Sequence, residues 1–351
     1  RLGGPSDVVV SEAIGADGHD LLAALFAERQ RFWLCRLPAI ETLRIIWIQQ
    51  FYHDQGRVRW RRPGDQPPVS QRLHSPYDPD ARYAKKRDTS WIGYKVHVTE
   101  TCEADRPNLI TDVQTTAAGT PDGAVTATVQ SALAARGLLP ETHVVDAGYV
   151  DAALLVASQV DHAIDLLGPV ALDHGWRAHS EQGFDLSAFT IVWPDRVAHC
   201  PAGQTSRDWA ETCDKRVTPL VHITFAPTTC AACPNRPLCT PSPPGKRSRP
   251  RSLVVRRQLE HEALQARRVE QKSEIWKKRY SCRAGIEGTL SQGIRGFGLR
   301  RCRYVGHAKT HLQHLFTAAA INLARLDAWL HGNLRAQTRQ SKLTALVPNA
   351  A

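Results

Sequence analysis

The sequence contains no methionine. It also has no apolar run of the ~18 residues that a membrane-crossing helix needs, and no leader with a charged start, an apolar centre and a small-residue end. Neither secretion nor membrane insertion is expected, and a cytoplasmic protein is the default. A chain that begins at Arg1 without any methionine is expected to be part of a longer translation product. Cysteine is sparse for a disulfide framework, at 9 in 351 residues. Four of the nine fall in a pattern better suited to metal, so reduced thiols are expected. Acid is in deficit: 45 Lys and Arg stand against 34 Asp and Glu, for a net charge of +11 and a pI near 9.4. That balance favours nucleic acid or another polyanion as partner. The 42% hydrophobic content is enough for a core.

Periodicity divides the chain. Residues 1–56 form a helical amino-terminal region, because LLAALF and IETLRIIWIQQFY carry Leu43, Ile46 and Phe51 at helical spacing. Residues 57–90 mix Gly, Pro and cations without a period and are expected to be a basic, extended loop lying along DNA or serving as a solvated linker. Residues 91–171 open a mixed sheet. SWIGYKVHVTE alternates, with Ile92, Tyr94, Val96 and Val98 on one side and Gly93, Lys95, His97 and Thr99 on the other, and NLITDVQTTAAG is its hairpin partner. DGAVTATVQSALAARGLL reads as a helix, THVVDAGYV as a short buried strand ending at Asp146, and VDHAIDLLGPV as one more strand after a helix. Residues 172–250 change to short strands, many prolines and most of the cysteines, which suggests an insertion. Residues 251–331 return to helix. LVVRRQLEHEALQARRVEQKSEIWKK is read as one charged helix, and Leu312, Leu315, Phe316, Ala319, Leu323, Leu326 and Leu330 are expected to pack under the sheet. Residues 332–351 are a polar, basic tail.

A strand that ends in Asp places the carboxylate at the carboxyl edge of a sheet, where open α/β folds build their sites. Asp146 holds that position, and Ala147-Gly148 lets the chain turn just past it. Asp caps the following turn at many such places, which is the simpler reading. In YSCRAGIEGTLSQGIRGFGLRRCRY, Tyr280, Arg283 and Glu287 are spaced by three and four, so one helix would project an acid, a guanidinium and a phenol from one face. Two carboxylates brought together can hold Mg²⁺, and arginine can grip phosphate. An ordinary surface Arg-Glu pair is the alternative.

Tyr280, Arg283 and Glu287 match the Tyr-Arg-Glu part of a family signature, HVVDAGYVDA looks like the segment of its second Asp, and GYKVHVTE and GFGLRRCRYVGHAKTHLQHLFTAAAINLARL look like its hairpin and its carboxyl-terminal block. On these four ordered matches, from about 75 to 330, the chain resembles bacterial insertion-sequence transposases with an Asp-Asp-Glu site. The resemblance implies a ribonuclease-H-like mixed sheet with helices on both faces, interrupted by the small cysteine-containing insertion. It further implies Asp146 and Glu287 as ligands of Mg²⁺ (or Mn²⁺), with Arg283 and Tyr280 positioning phosphate. The partners it implies are double-stranded DNA, both terminal inverted repeats and target, with the protein acting as a homodimer near the nucleoid. The signature ends with Lys seven positions after Glu, where this chain has Ile294 with Arg295 beside it. The family's first catalytic Asp precedes the hairpin and is followed closely by Ser or Thr; Asp7, Asp78, Asp80 and Asp112 do not match it. Its loss upstream of Arg1 is expected, which would leave this chain catalytically crippled. Asp122, in GTPDG, matches an acid common in the family, with a turn or helix cap as its expected job. A non-catalytic DNA-binding remnant and a structure-selective nuclease of the same fold are the competing readings.

Cys200, in HCPAG, and Cys230, Cys233 and Cys239, in CAACPNRPLC, are candidate zinc ligands, because Cys-x₂-Cys lets two thiolates take one edge of a tetrahedral Zn²⁺ site. His199 or His222 could replace one ligand, Cys213 is a spare thiol, and four merely reduced thiols are the alternative. Arg295, Arg300, Arg301, Arg303 and Lys309 follow Glu287, with Phe297 and Tyr304 interleaved, and suit DNA. The glycines there are expected to break the helix after Glu287. Lys85, Lys86 and Arg87 form a second cationic group in the 57–90 loop.

Overall fold

The computed structural model describes residues 5–27, 29–172, 183–240 and 249–333. In chain order it forms α1 (Pro5–Ala27), α2 (Pro38–Gln50), β1 (Phe51–Asp54), β2 (Arg57–Trp60), β3 (Arg82–Lys86), β4 (Thr89–Glu100), β5 (Ile110–Ala117), α3 (Thr126–Ala135), β6 (Thr142–Val144), α4 (Ala152–His162) and β7 (Asp165–Leu167). There follow β8 (Thr190–Val192), β9 (Val197–His199), β10 (Asp208–Cys213), β11 (Pro219–Thr224), α5 (Pro227–Ala232), α6 (Arg236–Cys239), β12 (Ser252–Val255), α7 (Gln258–Glu270), α8 (Glu274–Ser281), α9 (Ala284–Phe297) and α10 (His307–Leu330). The chain divides into two compact units, Arg1–Thr120 with Gly285–Ala351, and Pro121–Ala284.

In the first unit, β3, β4 and β5 form an antiparallel sheet, with Val96 opposite Thr115 and Val98 opposite Val113. Val96 and Val98 pack with Ile110, Val113, Ala318 and Ile321, which sets α10 against the sheet. The Asn322 side chain pairs with the β5 backbone as another strand would: its amide donates to the Ile110 carbonyl (2.9 Å) and its oxygen accepts from the Ile110 N–H (2.8 Å). Residues 57–90 are not the irregular loop expected. They contain β2, which pairs with β1 around a two-residue turn at Gln55-Gly56, where both residues have positive φ, and β3, which joins the sheet. On α1, Gly18 leaves room for the Trp47 ring, which lies where a Cβ would stand, and the Trp47 indole donates to the Gly15 carbonyl at 3.0 Å.

The face of α10 expected to be buried is the wrong one. Leu312, Leu315, Phe316, Leu323 and Leu330 are exposed, whereas Thr310, His314, Thr317, Ala318 and Ile321 are buried. The surface of β5 that receives the helix carries Thr115, and its hydroxyl meets His314 Nδ1 at 2.7 Å. Hydrogen bonding and small side chains therefore select the contact face over the leucine stripe.

In the second unit, β6 and β7 run parallel and are joined by α4. Val145, Leu155, Leu166 and Val170 fill the space beneath, with Ala263 and Leu264 of α7 against them. The insertion holds β8 with β9, and a β10-β11-β12 sheet. Around these strands Phe189, Ala198, Val221, Ile223, Phe225, Leu253 and Val255 form a buried cluster. The charged helix expected across 253–279 begins as strand β12 and then splits into α7 and α8, because Ser273 stops one helix and caps the next by accepting from the Trp276 N–H at 3.2 Å. The fold is mixed α/β. Instead of one continuous mixed sheet, the described residues form several small ones; β6 and β7, three residues each, offer few ladder positions to a further strand.

Candidate active site

The parallel register continues one residue past β6, where the Val145 N–H donates to the Leu167 carbonyl at 2.9 Å, and Asp146 follows. Its backbone is extended, and its Oδ1 accepts from the Ala147 N–H at 2.8 Å, capping the 3₁₀ turn Ala147–Tyr149. The capping role and the strand-end position thus coexist. Oδ2 lies 3.3 Å from an Arg283 Nη2, and the Asp146 side chain remains about half exposed. Gly148 brings its backbone close to Asp122: a Cβ there would stand 3.2 Å from Asp122 Oδ2. Asp122 lies in the first turn of a 3₁₀ helix, and the capping position belongs to Pro121. Burial first, then the charges of Asp122 and Asp146, push the Tyr149 hydroxyl above its ordinary range against the opposing charge of Arg283. Two carboxylates, a guanidinium and a phenol that stays protonated therefore gather around the end of β6. The Thr126 hydroxyl fixes this turn by donating to the Tyr149 carbonyl at 2.8 Å.

Tyr280, Arg283 and Glu287 do not lie on one continuous helix. Tyr280 lies on α8, stacked on the buried Trp276 ring at 4.8 Å. That helix ends at Ser281, the Arg283 N–H closes a turn onto the Tyr280 carbonyl at 3.1 Å, and α9 starts at Ala284. Glu287 is exposed in the first turn of α9, where a negative charge suits the positive helix end. The helix also does not break after Glu287. It runs through Gly288, Gly293 and Gly296 to Phe297 and stops at Gly298, whose φ is +63°. A network missed in the sequence fixes α9. Glu100, at the end of β4, accepts from the Thr289 hydroxyl and from Arg325 (2.9 Å), and Arg325 also donates to the Asn108 carbonyl (2.7 Å) and to Gln292 (3.1 Å).

Arg295, Arg300, Arg301, Arg303 and Lys309 are exposed, as are Lys85, Lys86 and Arg87 at the β3–β4 turn. Gln313 of α10 pins the first group by donating to the Arg301 carbonyl (2.8 Å) and accepting from the Arg303 N–H (2.9 Å). Ile294, at the place of the signature lysine, is half-buried on α9. Of the other acids considered, Asp78 accepts from the Tyr94 hydroxyl (2.7 Å), Asp80 from the His307 N–H (3.1 Å), and the buried Asp112 from Gln114 (3.0 Å). Asp7 lies on α1.

Cys200, Cys230, Cys233 and Cys239 line one cavity. Among the described residues, no three His, Cys, Asp or Glu side chains already converge as a metal site. Among the same residues, no helix is long and apolar enough to cross a membrane.

Residues 199–327 match the family described as Transposase DDE domain. The match takes in the four cysteines, Tyr280, Arg283 and Glu287, and begins after Asp146. It bears out the resemblance to insertion-sequence transposases of the Asp-Asp-Glu type: over these residues the chain is similar to a transposase DDE domain. No curated protein and no solved structure matches the chain.

Proposed function

We propose that this chain is a transposase with a ribonuclease-H-like core that binds the terminal repeats of an insertion sequence as a homodimer. Asp146 and Glu287 are the ligands this reading assigns to its divalent ion. Asp146 belongs to one compact unit and Glu287 to the other. The observation that carries it is the Asp146–Arg283 pair at the end of β6, alongside the family match that includes Arg283 and Glu287.

The donor set fits Mg²⁺ or Mn²⁺. Asp146 keeps an exposed carboxylate, Glu287 is exposed, and hard cations take carboxylate oxygens. Bound there, the ion supplies charge stabilisation to the entering and leaving oxygens of a phosphodiester displacement. The protein's own part is positioning. Arg283 transfers its donors from Asp146 to a phosphate, which guanidinium binds in a fixed fork, and Tyr280, stiffened by Trp276, borders that phosphate. The cations from Arg295 to Lys309 and from Lys85 to Arg87 hold the duplex backbone.

The test is a nicking assay on duplex carrying the element's terminal repeat, in Mg²⁺ or Mn²⁺, with filter binding in parallel. Binding is expected, and whatever nicking the chain retains without the family's first Asp is reduced at least ~100-fold by each of Asp146→Asn and Glu287→Gln, a loss of ~2.7 kcal/mol in barrier stabilisation. Binding without nicking would favour the DNA-binding remnant, and strand transfer of a pre-cut end would exclude a structure-selective nuclease. Nicking that survives both substitutions overturns the assignment of the carboxylates.

A further inference from the structure

We propose that Cys200, Cys230, Cys233 and Cys239 bind one structural Zn²⁺ ion that closes the edge of the insertion's core. The site lies within the second unit and does not depend on the transposase reading.

The four thiols are far apart in sequence but come from two compact supports. Cys200 follows β9 and opens a tight turn: its carbonyl accepts from the Gly203 N–H and its own N–H donates to the Gln204 carbonyl, each at 2.9 Å. Gly203 has a φ of +76°, so the chain reverses there and leaves Cys200 at a hairpin tip. Cys230 lies on α5, Cys233 caps it, and Cys239 is the last residue of α6. The Arg236 N–H, donating to the Cys233 carbonyl at 3.1 Å, ties the two short helices together. These supports face one cavity lined by all four cysteines. His199, His222 and Cys213 do not line it. His199 meets the Thr205 hydroxyl (3.2 Å), and His222 and Cys213 are exposed.

Charge supports a metal over four idle thiols. Four thiolates around Zn²⁺ make a doubly negative centre, and two buried arginines, Arg236 and Arg251, line the same cavity. On binding, each thiol gives its proton to solvent and its sulfur lone pair to zinc, with no redox change. The thiols share a cavity without yet converging, and metal-ligand bonds would draw them in. Cys200, Cys230 and Cys239 already pack against the Phe189–Phe225 cluster, so the ion would finish a core that exists.

The chain, purified reduced, is assayed for zinc by elemental analysis before and after equilibration with the metal alone. One zinc per chain is expected, lost in Cys230→Ser/Cys233→Ser and in Cys200→Ser, and kept in Cys213→Ser. To separate loss of metal from loss of fold in the first two variants, Co²⁺ is added to the zinc-stripped wild-type chain, where strong thiolate charge-transfer absorption and the intense visible bands of a tetrahedral centre are expected. Weak octahedral cobalt absorption, no uptake of zinc, or zinc retained without these cysteines overturns the proposal. A zinc-loaded chain that fails to nick DNA leaves this inference standing and counts only against the catalytic reading.

Discussion

Arg325 is the most demanding side chain to remove, because its partner cannot reach water. The Glu100 side chain is 5% exposed and that of Arg325 is 17%, with 2.9 Å between them. Truncation to alanine leaves a buried carboxylate to which the Thr289 hydroxyl still donates, and also strips a donor from the Asn108 carbonyl and from Gln292. Removing one member of a buried pair costs ~3–5 kcal/mol; because Thr289 still serves Glu100, the low end of that range applies. For a unit of this size ~3 kcal/mol corresponds to a fall of roughly 6–12 °C in Tm. Arg325→Met combined with Glu100→Leu removes both charges and should recover most of the loss, since a well-packed apolar pair often equals a buried ion pair. Calorimetry on the two variants and the wild-type chain decides the matter, with hydrogen exchange across 285–297 showing whether α9 is the element released. A fall corresponding to less than ~1 kcal/mol for Arg325→Ala, or a double variant no better than the single, would refute the claim that this pair anchors the helix carrying Glu287.

Three further outcomes follow from the same geometry. Burial, with smaller effects from the His311 and His307 charges, pulls the His314 imidazole down to about 4, below its ordinary 6.5; the unfolded chain therefore takes up the proton first, and stability should fall as pH drops from 6.5 towards 4, by at most ~3 kcal/mol. His314→Gln should flatten that slope in pH-dependent melts, and an unchanged slope would reject the assignment. Gly148→Val places side-chain atoms against Asp122, so it should cut nicking more than end binding, whereas equal losses in both would point to global misfolding. Arg300→Ala and Arg301→Ala should each lower the slope of log affinity against log salt by about 1, and a slope that does not move would remove them from the DNA surface.

The hairpin of β4 and β5, the helix α3 and the short β6 strand before Asp146 were legible because each is decided locally, by alternation, by helical spacing stopped at Gly137, or by a brief apolar run. The β1–β2 turn was legible in principle, since Gln55-Gly56 is a two-residue hairpin signal hidden by the arginines around it. What failed depended on the partner. The leucines of α10 do mark a helix, but which stripe is buried depends on the surface it meets, and β5 presents Thr115 to His314. Glu100 and Arg325 lie 225 positions apart and only tertiary packing pairs them. The cysteines were legible as a set through the Cys-x₂-Cys spacing, while the arginines sharing their cavity were not.

The broken helix changes what the Tyr-Arg-Glu spacing means. On one continuous helix Arg283 and Glu287 would be neighbours on a face and natural partners for each other. With α8 ending at Ser281 and α9 starting at Ala284, Arg283 sits in the joint and forms an ion pair with Asp146, 137 positions earlier in the chain. The intervals of three and four therefore span two helices, with Arg283 beside the β6 acid and Glu287 in the first turn of α9. If that is the arrangement used on DNA, straightening the joint is the sharper perturbation. Cys282→Ala with Arg283→Lys raises helix propensity and removes the fork, and it should weaken phosphate-dependent steps while leaving the stability of each unit within ~1 kcal/mol.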